Sequence, residues 1–279
     1  MSKPEYHVAS FSGGKDSTAM VLHMIERGDP LDEVVFCDTG MEFPAMLRHV
    51  EKVKQVVEAA GIKFTTLRAG RSFEYYLIEY PTARKEDNNL YGVPGRGWPG
   101  VFSRWCTKDL KKKPINDHLR VLKSDHEVIQ HIGLAADEDH RLKRGTNQDK
   151  SHQHPLREWG WTEADAMAYC RAKGYDWEGL YDIFNRVSCW CCPLQPHDDL
   201  RKLRQHFPDL WARLLYLDCH QCKPFNHLTV KDFDRRFQLE DALTLAGHSI
   251  KDRAFHADRK RLLAGETTIE EILQERNKK

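Results

Sequence analysis

Ser12-Gly13-Gly14-Lys15-Asp16-Ser17 decides how this chain is read. His7–Phe11 before it is a short apolar run of strand character, and Thr18–Ile25 after it has the pattern of a helix. The expected order is strand, glycine-rich turn, helix. Two adjacent glycines let the backbone approach an anion closely. The unpaired N–H groups at a helix start, with the macrodipole behind them, favour negative charge. Ser12, Ser17 and Thr18 add hydroxyls, and Lys15 adds a full positive charge. The stretch is expected to bind phosphate. It is not a Walker A loop, which needs Gly, four residues, then Gly-Lys-Ser/Thr. A carboxylate such as Asp16 is unfavourable at a phosphate site unless a cation lies between them, so it points to Mg²⁺. An ordinary Gly-Gly turn with a serine cap is the plain alternative, and the position of all six residues between strand and helix argues against it.

Working outward, Glu33–Cys37 is a second strand, rich in β-branched residues. It ends in Asp38-Thr39-Gly40. Asp38 is expected at the carboxyl end of a strand beside the phosphate loop, where open α/β sheets bind ligands. Ala45–Ala60 is an amphipathic helix with Leu47, Val50, Val53 and Val57 on one side. Lys63–Leu67 is a third strand, Ser72–Tyr80 a helix, and Val128–Ile132 a further strand. Residues 91–100 hold four glycines and two prolines, which makes them a loop. Arg96 and Trp98 on it would suit a nucleotide or nucleic acid by charge and stacking, but a surface loop with a partly buried tryptophan is the simpler expectation.

The six-residue stretch resembles the PP-loop of the ATP pyrophosphatase superfamily. That superfamily includes sulfonucleotide (PAPS/APS) reductases, tRNA thiolation enzymes and the ATPases of DNA phosphorothioation systems. The resemblance implies an α/β fold: a doubly wound parallel sheet with the loop after the first strand. It implies ATP bound by Ser12, Gly13, Gly14, Lys15, Asp16, Ser17, Asp38, Thr39, Gly40 and Gly133, with Lys15, Asp16 and Asp38 catalytic. Asp38-Thr39-Gly40-Met41-Glu42-Phe43-Pro44 is similar to the family's Asp-Thr-Gly…Phe-Pro. Arg104-Trp105-Cys106 and the lysines up to Pro114 resemble an Arg-x-Cys segment whose cysteine binds a [4Fe–4S] cluster. In the family its basic residues, here Arg104, Lys108 and Lys111, face the anionic ligand. Gly133, Asp137, Glu138 and Arg141 match a further motif, with Ala135 where the family carries arginine. Asp137, Glu138 and Arg141 are thereby implied in substrate binding.

Eight cysteines in a chain without a signal-like N-terminus or an apolar run of membrane length suggest ligands rather than disulfides. The chain is expected to be cytoplasmic, with no membrane span. Cys189-Trp190-Cys191-Cys192-Pro193 and Cys219-His220-Gln221-Cys222 each contain C-x2-C. Spacing alone favours a structural zinc on Cys189, Cys192, Cys219 and Cys222. The resemblance favours a [4Fe–4S] cluster on Cys106, Cys189, Cys192 and a fourth thiolate, Cys222, Cys219 or Cys191.

The formal net charge of +1 over 279 residues gives no global basic footprint. Domain boundaries are expected near residues 1–165, nucleotide-binding, and 166–279, helical with the cysteine motif. A helix is expected near 163–172, and in the latter region helices near 197–217, 229–245 and 267–277; residues 142–153 read as a polar loop. The family chemistry implied is transfer of AMP to an acceptor, then sulfur insertion, with a cysteine desulfurase as donor. DNA is the first choice of acceptor and tRNA the alternative, while self-association stays open. A reductase of the same family uses a cysteine near its C-terminus, and this sequence has none after Cys222. A zinc-held module that binds nucleotide without catalysis is the reading from another class.

Overall fold

The computed structural model describes residues 3–138, 151–187 and 189–278. It divides into two compact units. One comprises Met1–Phe73 and Arg104–Cys192, the other Glu74–Ser103 and Pro193–Lys279.

The first unit is an α/β layer structure. Its sheet contains β1 (Glu5–Phe11), β2 (Glu33–Asp38), β3 (Lys63–Arg68), β4 (Glu127–Ile132) and β5 (His152–Gln153). The order is β3-β2-β1-β4-β5 and every pairing is parallel. All six residues of β2 are buried, as expected of a strand covered on both faces. Helices α1 (Lys15–Arg27) and α2 (Pro44–Ala59) follow β1 and β2. Cys106–Lys112 forms a π-helical stretch that runs into α3 (Lys113–Leu122). Short α4 (Pro155–Glu158), α5 (Glu163–Ala172) and α6 (Leu180–Ile183) complete the unit. The chain leaves β1 toward β2 on one side and returns to β4 on the other. The switch point therefore lies between β1 and β4, where such sheets bind ligands.

One buried acid ties the sheet together. Glu33, with no exposed surface, accepts from Thr65, from Tyr6 at 3.3 Å and from Lys63 at 3.0 Å, and meets His118 at 3.0 Å. Burial alone would raise its pKa, but Thr65, Lys63 and His118 outweigh it and hold it below the usual carboxylate range.

The second unit is helical. It holds a π-helical turn (Tyr75–Glu79) and helices α7 (His197–His206), α8 (Pro208–Cys219), α9 (Val230–Leu245), α10 (Arg253–Leu263) and α11 (Ile269–Asn277). Leu239, Leu243, Phe255, Leu262 and Ile272 form the core of its last three helices. Trp98 is buried, and its indole N–H donates to Asp218 at 2.8 Å. Arg96 lies over the rings of Tyr80 and Tyr76, 3.9 and 4.9 Å from their centroids. The 91–100 loop thus carries its own packing.

The units do not part at residue 165. Residues 166–192 belong with the sheet because α5 and α6 pack their side chains onto the phosphate loop. Residues 74–103 join the helical unit because Trp98 and Asp218 pair there. The expected 197–217 helix is broken at Pro208, which cannot continue a helix from within. Within the expected 142–153 loop, His152–Gln153 pairs with β4 as a strand; residues 142–150 lie outside the described residues.

Candidate functional site

The Ser12–Ser17 turn joins β1 to α1 as the sequence implies. Gly13 has φ +79°, and a Cβ there would stand 2.6 Å from the Met46 sulfur. Ser17 Oγ accepts from the Ser12 N–H at 3.1 Å and donates to the Gly14 carbonyl at 3.0 Å. The serines thus shape the loop from inside. Gly133, at the end of β4, lies so close that a Cβ would stand 2.9 Å from the Ser17 N and Cα. The β4 loop and the first turn of α1 meet backbone to backbone, so glycine is required at 133.

Lys15 is held by two carboxylates. Its ammonium donates to both Asp16 oxygens at 3.1 Å and to Glu163 of α5. Burial would lower the Lys15 pKa, but the bonds to Glu163 and Asp16 outweigh it and leave it raised. Asp16 is pushed up by burial, with Lys15 opposing and Glu163 and Glu138 adding to the rise. Asp137 accepts from the Glu163 N–H at 3.1 Å, which fixes the start of α5 beside the loop. Asp16, Glu138, Asp137 and Glu163 therefore form an acidic rim around one lysine. Ala135 is fully buried, and the Arg157 guanidinium donates to the Ala135 and Ala136 carbonyls at 3.4 and 3.2 Å. Arg141 lies outside the described residues.

Three aromatic or imidazole groups hold the loop. The Trp177 indole donates to the Gly13 carbonyl at 2.7 Å. Thr18 Oγ1 meets His49 Nε2 at 2.9 Å, and the His49 ring lies 4.5 Å from that of Trp177. The Lys15 N–H donates to the Tyr181 hydroxyl at 3.1 Å. Trp177 and Glu178 have φ of 51° and 54°, left-handed values that are outliers for such side chains. Residues held this way cost on the order of 1–3 kcal/mol each and cluster at functional sites.

At the end of β2, Asp38 is almost fully buried. Its Oδ2 accepts from Arg68 Nε and Nη2 at 2.9 and 2.6 Å, and its Oδ1 from the Gly40 N–H at 2.8 Å. Glu42 accepts from the Thr39 N–H at 3.1 Å and from its hydroxyl at 2.7 Å. An open pocket of about 380 Å³ at this edge is lined by Asp38, Thr39, Gly40, Arg68, Arg71 and Ser72, among others.

The cysteines form a second centre. Cys106 opens the π-helical stretch, and the Cys192 N–H donates to the Cys189 carbonyl at 3.2 Å in a tight turn. The Trp190 N–H donates to the Met41 carbonyl at 3.2 Å, which ties that turn to the loop after β2. Lys111 stands among these thiols, with its ammonium 3.8 Å from Glu42. Burial alone would lower its pKa, but Cys189, Glu42, Cys37 and Cys106 outweigh it and keep it raised. Burial pushes Cys189 up to about 11, while Lys111 pulls the other way. Cys106 is also raised by burial, and the Cys192 charge adds to that. The three thiols and the lysine therefore share one neighbourhood. Arg104 and Lys108 are exposed.

Among the described residues no three His, Cys, Asp or Glu side chains stand close enough to hold a single metal ion. The donor set of Cys106, Cys189 and Cys192 fits a four-iron cluster in chemistry, because such clusters take thiolates and space them more widely than one ion does. Cys222 belongs to the other unit. There its thiol donates to the Gly95 carbonyl at 3.5 Å and accepts from Arg84 at 3.4 Å.

Sequence reading did not find Glu163, Trp177, Tyr181 or Arg68. Only Arg68 carried a signal, as the last residue of a strand paired in register with Asp38.

A doubly wound parallel sheet with a PP-loop at its switch point defines an α/β protein of the PP-loop type. The chain belongs to the phosphoadenosine phosphosulfate reductase domain family, whose model matches residues 6–195. Two proteins of Methanocaldococcus jannaschii are similar to it. Uncharacterized protein MJ0066 is 29% identical over 214 residues, 74% of this chain and 40% of that protein. Uncharacterized protein MJ0973 is 27% identical over 209 residues, 73% of this chain and 45% of that protein. The chain thus spans less than half the length of these curated relatives. Among solved structures it is similar to the U34-tRNA thiolase NcsA from Methanococcus maripaludis with its [4Fe–4S] cluster. That match has 13% identity and a TM-score of 0.39, over 85% of this chain and 72% of the other.

Proposed function

We propose that this protein is an ATP pyrophosphatase that adenylylates a nucleic-acid acceptor and prepares it for sulfur insertion. The observation that carries this reading is the pair of centres in one unit. A phosphate loop with a caged lysine lies at the switch point, and a thiol group gathered around Lys111 is tied through Trp190 to the loop after β2. The α1 N–H groups and Lys15 would hold the β- and γ-phosphates and stabilise charge on the leaving pyrophosphate. Asp38 and Arg68 would frame the nucleoside end. An acceptor oxygen attacks the α-phosphorus, AMP joins the acceptor, and pyrophosphate leaves. A sulfur nucleophile then displaces AMP.

Asp16 is the carboxylate that would share Mg²⁺ with the phosphates. Cys106, Cys189 and Cys192 would hold an iron–sulfur cluster, which when bound supplies a site for sulfide. A cysteine desulfurase is the proposed donor. DNA, as in phosphorothioation, is the acceptor we favour, with tRNA the alternative.

The test is product analysis with labelled ATP, with and without DNA or tRNA. AMP and pyrophosphate whose yield rises with acceptor are expected. ADP and phosphate as products would overturn the reading. Sulfite released from PAPS would assign a sulfonucleotide reductase instead.

A further inference from the structure

We propose that Tyr181 positions the phosphates of the bound nucleotide, its hydroxyl standing as a fixed oxygen in the phosphate loop. The proposal rests on the reading above that the loop binds a nucleotide.

The first helical N–H of α1, that of Lys15, is satisfied by the Tyr181 hydroxyl at 3.1 Å. Gly14, the N-cap residue, has no side chain to do this, and the helix has no side-chain cap bond. Tyr181 comes from 166 residues away in the chain. A hydroxyl has one donor and two acceptor sites. Here one acceptor site is used by Lys15, and among the described residues the proton has no acceptor. Burial raises the pKa of the phenol, so the proton stays on the oxygen at neutral pH. A phosphate oxygen entering the loop would meet an O–H donor already aligned by the backbone it is about to join.

The placement of Tyr181 is costly, and the cost argues for a purpose. Two consecutive non-glycine residues, Trp177 and Glu178, are held in left-handed backbone four and three residues before it. That turn delivers two side chains to one loop. The Trp177 indole reaches the Gly13 carbonyl at 2.7 Å, and the Tyr181 hydroxyl reaches the Lys15 N–H. The two rings pack edge to face at 4.8 Å, so each fixes the other. Paired carboxylate and guanidinium of Glu178 and Arg48 hold the outer side of the turn at 2.7 and 2.5 Å. Packing alone would need only the rings. The hydroxyl adds a free proton donor beside the first N–H of α1.

Tyr181→Phe keeps the ring against Trp177 and removes only the oxygen. Binding of ATP, pyrophosphate and AMP to wild type and variant would be measured by calorimetry with Mg²⁺ present. The expected result is a loss of about tenfold or more for ATP and pyrophosphate, the cost of a hydrogen bond to a charged group, with AMP unchanged. Equal weakening of all three, or pyrophosphate bound as in wild type, would overturn the proposal and leave the nucleotide reading standing. Wild-type protein that binds neither ATP nor pyrophosphate would overturn both. If the variant does not fold, 3-fluorotyrosine at 181 gives the second measurement. Its fluorine resonance is expected to move with pyrophosphate and not with AMP, and a resonance that stays still with pyrophosphate would overturn the proposal.

Discussion

Asp38 and Arg68 end adjacent parallel strands directly opposite each other, and the Arg68 guanidinium gives both its Nε and Nη2 hydrogens to one Asp38 oxygen. Asp38 is buried, whereas the Arg68 side chain is 74% exposed. Screening by water limits the worth of such a pair, but its loss strands a buried carboxylate. Arg68→Ala is expected to lower stability by about 1 kcal/mol and to weaken adenine-nucleotide binding, because both residues line the same pocket. Urea unfolding and an ATP titration on the variant check the two effects. Unchanged ATP affinity would remove Arg68 from the nucleotide site.

Lys15 is expected to act on the transition state more than on folding. Its ammonium already has Asp16 and Glu163 as partners, so a phosphate joins an existing charge cluster rather than ordering a loose side chain. Lys15→Ala is expected to slow AMP formation by about 10²–10³-fold, the usual effect of removing one stabiliser of developing charge. Glu163→Gln keeps a polar partner for Lys15 and is expected to cost less. Pre-steady-state release of pyrophosphate from both variants checks the order of effects. Equal losses would place Glu163 in a larger role than holding Lys15.

The turn from β1 into α1, the place of Asp38 at the end of β2 and four of the five strands were legible because their signals are local. β1 to β4 are short runs of β-branched or apolar residues, and the loop is a contiguous motif. The capping box at Thr162 and Asp165 was legible for the same reason, and both of its bonds are present. Leu47 fits the stripe expected of α2 yet is 38% exposed, and Met46 and His49 take the inward positions. Helix α10 went unread because only Phe255, Asp258 and Leu262 of its eleven residues are buried, too thin an apolar signal. β5 is two residues long and leaves no period to detect. Glu163 and Tyr181 meet Lys15 across 148 and 166 residues, and no local pattern encodes such a contact.

Removing single thiols separates the cysteine centre from ordinary buried cysteines. Cys106→Ala, Cys189→Ala and Cys192→Ala are each expected to lower iron and acid-labile sulfide severalfold in protein purified without air. Cys170→Ala is the control. Its thiol is buried elsewhere and donates to the Lys15 carbonyl at 3.5 Å, so metal content is expected to stay unchanged. Substituting Cys191, Cys219 and Cys222 in turn identifies the fourth ligand. One zinc and no iron in the wild type would move the ligand set to the two C-x2-C pairs.

Two buried histidines are expected to contribute to the response to acid. Burial lowers the pKa of His49 and of His131 to about 4, with Lys52 adding to the shift at His49 and His7 at His131. In the unfolded chain both titrate near 6.5. The unfolded state therefore binds protons first as pH falls. Stability from these groups is full above about 6.5, declines between 6.5 and 4, and levels off below the folded values. The window is worth on the order of 3 kcal/mol per histidine. The two sites differ in consequence. His49 meets Thr18 beside the phosphate loop, whereas His131 meets His7 Nδ1 at 3.0 Å within the sheet. His131→Asn is expected to flatten the fall in melting temperature over this range. His49→Asn is expected to flatten it too and to change ATP affinity besides. Melting curves from pH 7.5 to 4, run on wild type and both variants, check this; a wild-type melting temperature that stays level across the window would mean that neither ring is held neutral by its surroundings.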